Sequence, residues 1–226
     1  MDERFVVLAE CALFKNKSAQ EIEVLLAEIS FRTEVFSEGD TVFSPVQKAD
    51  RIGIILSGAV DEQKLFPSGK VVIIERKKRA GMIAESCVFS RLECYSDAYV
   101  ACKPCEILIL SKSELLGLFQ LDQAVFLNFL EHIANSTLVL KRKIGILSLD
   151  SIQEKISGYL FHAYLASGSL VVPLPFSKKE WAEYMDVSRT SLSRELRKMD
   201  EAGVLSFNKR TIEIRDMDKL EKILSL

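Results

Sequence analysis

Phe126, Leu130, Ile133, Thr137, Leu140, Ile144 and Leu147 recur at alternating spacings of four and three residues. That repeat is the a/d seam of a coiled coil, narrower than the stripe by which a lone surface helix docks on a globular core. A long helix with such a seam is expected to cover it with another long helix. No second segment of this kind occurs in the chain, so the expected partner is a second copy, and the chain a homodimer. Docking of the same helix on the chain's own core is the alternative, and the two are compatible.

The segment before this helix has a different texture. Ser18 and Glu21 form a Ser-x-x-Glu capping box ahead of a short helix. From Phe31, short apolar runs alternate with turn signals. Thr41–Phe43, Ile52–Leu56, Val71–Ile74 and Ile107–Leu110 read as strands. Glu38-Gly39-Asp40, Ser57-Gly58, Pro67-Ser68-Gly69-Lys70, Ala80-Gly81 and Lys103-Pro104 read as turns. Many short strands at this spacing suggest a small barrel or sandwich. Ser111 and Ser113 are candidate caps for the helical region that follows, and Asp150 and Ser151 for the next helix, which ends at Gly168.

The C-terminal stretch carries the chemistry. Ser177-x-x-Glu180 caps a helix with Trp181, Ala182 and Met185 on its inner side, and Met185-Asp186-Val187 makes a turn. Ser188 caps a second helix with Leu192, Leu196 and Met199 inward and Arg189, Thr190, Ser193, Arg194 and Arg197 outward. Two helices joined by a tight turn, the second basic and hydroxyl-rich at its start, make a helix-turn-helix that fits the major groove. Arginine matches guanine O6 and N7, and serine and threonine suit phosphate oxygens. After Gly203, Val204–Phe207 and Thr211–Ile214 flank Asn208-Lys209-Arg210, a hairpin with a basic tip. A solvated charged surface is the plainer reading, but the one-sided clustering favours double-stranded DNA as partner.

Composition sets limits on this reading. In 226 residues, 48% are hydrophobic and 27% charged, which suits a folded chain rather than a disordered one. Thirty Lys+Arg against 32 Asp+Glu give a charge of −2, which excludes a wholly basic coat but permits a local basic surface. Apolar runs are far shorter than the ~20 residues of a membrane span, so no membrane partner is expected. The Met-Asp-Glu-Arg opening is unlike a signal peptide, so a cytoplasmic location is expected. An odd count of five cysteines argues against a disulfide scaffold.

The whole arrangement resembles the Crp/Fnr family of bacterial transcription regulators. The markers are Val187-Ser188-Arg189-Thr190-Ser191-Leu192-Ser193-Arg194, and the segments Ser37–Asp40, Ile54–Gly58 and Pro67–Lys70. The resemblance implies an α+β chain. Its parts are an N-terminal double-stranded β-helix (jelly-roll-like β-roll) sensor domain over 1–115, a long dimerisation helix and hinge over 116–149, and a C-terminal winged helix-turn-helix over 150–226. It places base reading on Arg189, Thr190, Ser193 and Arg194, and phosphate contacts on Ser177, Lys178, Ser188, Ser191, Lys209 and Arg210. The best-known members carry glutamate where Thr190 stands, so a different half-site is expected. RNA polymerase is a further partner that the resemblance allows.

The same resemblance places an effector pocket at Glu85, Ser86, Tyr95 and Ser96. Glu85 stands where cyclic-AMP-binding members bind the ribose, but Tyr95 replaces the phosphate-binding arginine. A buried phosphate without a cation is costly, so cyclic AMP is not expected; the pocket either takes another, unknown small molecule or is vestigial, and no other cofactor is expected. Only Cys11 lies where iron–sulfur-binding members cluster cysteines, and His132 and His162 fall on helices outside the β-roll, as ordinary surface or interface residues. No metal site is expected. A thiol sensor built on Cys87, Cys94, Cys102 and Cys105, with Cys102-x-x-Cys105 in a turn, is an alternative. An enzyme nucleated by Glu85 and Cys87 is another, although nothing orients that pair. No catalytic residue is assigned, and a non-enzymatic chain is expected.

Overall fold

The computed structural model describes residues 2–175, 177–208 and 210–224. Two compact units divide the chain, Met1–Asn135 and Ser136–Leu226.

In the first unit, α1 (Glu3–Ala9), a 3-10 turn (Ala12–Phe14) and α2 (Ala19–Ala27) precede the sheet. The Ser18 hydroxyl accepts from the Glu21 N–H, and the Glu21 carboxylate accepts from the Ser18 N–H, so the capping box starts α2 as expected. The strands are β1 (Arg32–Phe36), β2 (Thr41–Phe43), β3 (Arg51–Leu65), β4 (Val71–Lys78), β5 (Met82–Ile83) and β6 (Ala98–Ser111). They form one sheet in the order β1-β6-β3-β4, with β2 on β6 and β5 on β3.

Antiparallel pairing of β3 with β6 runs from Arg51 opposite Ser111 to Gln63 opposite Ala98. Alternation of side chains explains the unbroken apolar runs. Ile52, Ile54, Leu108 and Leu110 pack with the helices around Leu8, Phe14, Ile22 and Leu26. Ile55, Ile107 and Ile109 point the other way, into the roll with Phe43, Ile83, Tyr95 and Tyr99.

Ser57-Gly58 and Lys103-Pro104 are not turns. Both lie inside the long strands, at a bulge where Ser57 opposes Glu106 and Ala59 opposes Lys103. Pro104 has no N–H to withdraw from the ladder, and Gly58 takes φ +83° beneath the Pro104 carbonyl. Cys102 and Cys105 are therefore strand residues rather than turn residues. The β3–β4 hairpin leaves Leu65, Phe66 and Val71–Ile74 exposed.

Ser111 caps α3 (Lys112–Leu121), and Asp122 breaks the helix by going extended. Its carboxylate accepts from the N–H groups of Ala124 and Val125 at 2.8 and 3.3 Å, starting α4 (Gln123–Leu147). Val125 and Phe129 are buried against the first unit, and Ile133 packs partly there.

The second unit holds α5 (Ile152–Ser167), β7 (Val171–Pro173), α6 (Lys178–Tyr184), α7 (Arg189–Glu201), β8 (Leu205–Asn208), β9 (Thr211–Ile214) and α8 (Met217–Ile223). Its sheet runs β7-β9-β8. Trp181, Met185, Leu192, Leu196, Met199, Leu205 and Ile212 form its core with Ile156 and Leu160. Among the described residues no helix is long and apolar enough to cross a membrane.

A Cβ at residue 58 would lie 2.2 Å from the Pro104 carbonyl oxygen, whereas one at residue 69, also at positive φ, meets nothing within 4 Å. Gly58→Ala is expected to destabilise the chain by about 3 kcal/mol, against about 1 kcal/mol for Gly69→Ala. Urea denaturation of both variants checks the ranking, and equal losses would remove the close approach as its cause.

Candidate nucleic-acid interface and sensor site

Ser188 starts α7. Its Oγ accepts from the Ser191 N–H at 3.0 Å and lies 2.8 Å from the Thr190 hydroxyl. Leu192, Leu196 and Met199 anchor the helix in the core, which leaves Arg189, Thr190, Arg194 and Arg197 exposed and Ser193 half-buried. The basic, hydroxyl-rich surface thus comes from the first turns of one anchored helix. Among the expected phosphate-contact positions, Ser177 caps α6 and Lys178 Nζ stands 4.5 Å above the Phe207 ring. Ser191 is half-buried, and Arg210 is exposed at the wing turn. Lys209 lies outside the described residues.

One buried acid on α7 has no counterpart among the expected site residues. Glu195 accepts from Gln153 Nε2 of α5 at 3.0 Å and from Lys198 Nζ at 2.9 Å. Arg194 Nε lies 3.4 Å from the same carboxylate. Lys198 first, then Gln153, outweigh burial and hold the Glu195 carboxyl below its ordinary value. The sequence signal was present: residues 192, 195, 196 and 199 form one helical stripe, and a carboxylate interrupts it.

In the first unit, Tyr95 is buried. Its ring stacks on Phe43 at 4.8 Å between centroids, its hydroxyl donates to the Arg51 carbonyl at 3.0 Å, and burial pushes its phenol up to about 12. Ser86 and Ser96 are exposed, and each Oγ lies 3.8 Å from Cys87 Sγ. Glu85 is already engaged, with His132 Nε2 of α4 at 3.3 Å and Lys77 Nζ of β4 at 3.4 Å. His132 is therefore not a plain surface residue. It is half-buried and joins α4 to the segment around Glu85, a contact between residues 47 apart that no local pattern reveals. His162 is exposed on α5. A surface groove of about 670 Å³, lined by residues that include Val46, Asp50, Leu92, Cys94 and Lys112, contains none of the four expected pocket residues.

The cysteines are all free thiols. Cys105 belongs to the interior cluster, while Cys102 lies beside Asp61, whose carboxylate is clamped by Arg76 at 2.6 and 2.8 Å. Burial pushes both thiols above their ordinary value, away from the reactive thiolate form.

Comparison with known proteins converges on one family. A Crp-like helix-turn-helix domain model matches residues 154–223, and a cyclic nucleotide-binding domain model matches residues 33–122. The chain belongs to the Crp/Fnr family. This Crp/Fnr-type regulator is a DNA-binding transcription regulator. It is 21% identical over 215 residues to "Probable transcriptional regulator flp" of Lacticaseibacillus casei, across 92% of this chain and 94% of that protein. Its fold is similar to that of the Thermus thermophilus catabolite activator protein, with a TM-score of 0.55 and 20% identity over 95% of this chain and 98% of that one. A CooA mutant from Carboxydothermus hydrogenoformans is similar in fold at a TM-score of 0.58 and 18% identity, over 99% and 97% of the two chains.

Burial opposes the charged form of Glu85, but the His132 hydrogen bond and the Lys77 charge outweigh it, so its carboxyl sits below the ordinary 4.5. Such a group stabilises the fold fully above its unfolded value, and the contribution is lost as pH falls through the lower folded value. Thermal unfolding of the regulator is expected to show this loss below about pH 4.5, and Glu85→Gln to flatten it. An identical acid limb in the variant would assign the dependence to other carboxylates.

Proposed function

We propose that the regulator acts as a homodimer that reads a near-palindromic operator under the control of a small molecule sensed by the β-roll. The observation that carries the DNA side is the exposure of Arg189, Thr190 and Arg194 on the first turns of α7, with the opposite side of that helix locked in the core. Arg189, Thr190, Ser193 and Arg194 are the base-reading set. Ser177, Lys178, Ser188, Ser191 and Arg210 supply phosphate contacts, together with Lys209. Without the usual glutamate at position 190, Thr190 directs the protein to a different half-site. RNA polymerase is the partner through which operator occupancy alters transcription. The reading involves no catalytic step, and a cytoplasmic location follows from the DNA partner.

The dimer side rests on α4. Phe126, Leu130, Leu140, Ile144 and Leu147 are exposed, Leu140 at 60% and Ile144 at 63%, while Ile133 is half-buried and Thr137 exposed. Covering a leucine or isoleucine contributes about 1.5–3 kcal/mol each, so a second copy's seam is the natural cover. Two-fold symmetry then sets half-site centres about one helical turn apart, ~34 Å.

The effector in this reading is not a cyclic nucleotide. Tyr95 offers no cation, its hydroxyl is bonded to backbone, and Glu85 is engaged by Lys77 and His132. An effector that alters those contacts changes the seating of α4, and a population shift then reorients the two α7 helices.

Selection of duplexes from a random pool, with and without the small-molecule fraction of a cell extract, gives the operator. On that duplex Arg194→Ala is expected to weaken binding by about 1–3 kcal/mol and to relax one base position, while Arg210→Ala weakens all sequences alike. Equal losses for Arg194→Ala on selected and random DNA would remove base reading from this residue. Leu140→Glu is expected to convert the dimer to monomer in sedimentation, and a wild-type chain that sediments as a monomer would overturn the dimer.

A further inference from the structure

Arg194 is 68% exposed in its side chain, yet its Nε lies 3.4 Å from a carboxylate that is only 11% exposed. Adjacent residues on a helix do not face one another. The contact therefore requires the guanidinium to lean back across the helix toward the inward stripe. A buried carboxylate is expensive unless it is paired, and an apolar residue at 195 would seal the Leu192–Leu196–Met199 stripe at lower desolvation cost. Packing alone does not explain the acid, but its partners do. Gln153 reaches it from α5 at 3.0 Å and fixes its position relative to the core. Lys198 at 2.9 Å balances its charge, which limits repulsion of DNA phosphates. Arg194 meets it through Nε at 3.4 Å. The two terminal guanidinium nitrogens are the pair that forks onto guanine O6 and N7.

We infer that Glu195 is a positioning residue for operator specificity: anchored by Gln153, it holds the Arg194 guanidinium through Nε so that the terminal nitrogens are preset for a guanine edge. The inference rests on the base-reading role proposed for Arg194. Pre-setting a rotamer-rich side chain lowers the ordering cost met on binding. The effect is therefore confined to the base that Arg194 reads.

The test uses the full-length chain and the duplex it selects from a random pool, with the base at the Arg194 position varied. Glu195→Gln keeps the side-chain shape and is expected to weaken binding to the preferred duplex by about five- to tenfold, the lower end of the range for one bidentate base contact. Binding to random duplex is expected to stay within twofold. Gln153→Ala is expected to give a smaller loss of the same pattern, and Glu195→Asp to restore little, since its shorter arm cannot bridge Gln153 and Arg194 together. In an Arg194→Ala background, Glu195→Gln is expected to produce no further loss.

A loss that persists in that background marks Glu195 as structural and overturns the inference. Equal tightening on every duplex shows that the carboxylate merely repels DNA, and overturns it too. If Arg194→Ala itself loses selected and random DNA equally, the base-reading assignment fails, and that outcome is separate from any result on Glu195. Thermal unfolding of each variant separates weak binding from poor folding.

Discussion

Two antiparallel strands, Arg51–Leu65 and Ala98–Ser111, carry the first unit, because their pairing must satisfy two apolar clusters at once. Even-numbered residues such as Ile52 and Leu108 cover the N-terminal helices, and odd-numbered ones such as Ile55 and Ile107 fill the roll. A slip of one residue would exchange the two sets. Gly53 shows how tight this pairing is: a Cβ there would meet Ile107 and Ile83 side chains at 2.8 Å. The bulge at Gly58 and Pro104 absorbs the one irregularity without adding an unpaired N–H from residue 104.

The second unit obeys a different constraint. Its recognition helix must be immobile on one side and open on the other. Leu192, Leu196 and Met199 supply the immobile side. Glu195 shares their stripe and is polar, so the helix is also tied to α5 by the directional Gln153 hydrogen bond. Apolar packing alone is non-directional and tolerates small rotations. A hydrogen-bonded carboxylate is directional and ties the rotation of the helix about its axis to α5.

Between these constraints stands α4, one helix with two stripes. Val125 and Phe129 face the first unit's core, while Phe126, Leu130, Leu140 and Ile144 stay exposed. Docking on the chain's own core accounts for Val125 and Phe129, and most of the seam residues are exposed. His132 adds a polar link from the same helix to Glu85. The segment around Glu85 is thereby in direct contact with the helix that carries the seam.

Local signals made much of this legible in the amino-acid order. The capping boxes at Ser18 and Ser177 form as read, and of the candidate pairs Ser111/Ser113 and Asp150/Ser151 it is Ser111 and Ser151 that cap, because each box needs only a hydroxyl and a carboxylate three residues apart. The same holds for the apolar stripe of α7 and for the family resemblance. Ser57-Gly58 and Lys103-Pro104 misled because glycine and proline mark a bulge as readily as a turn, and only the opposing strand distinguishes them. The tertiary structure alone decided the partners of Glu85, Tyr95, Cys102 and Glu195. Side-chain pairing depends on where the folded backbone brings distant residues, and periodicity along a chain reports which side of an element a residue occupies, never what it meets there.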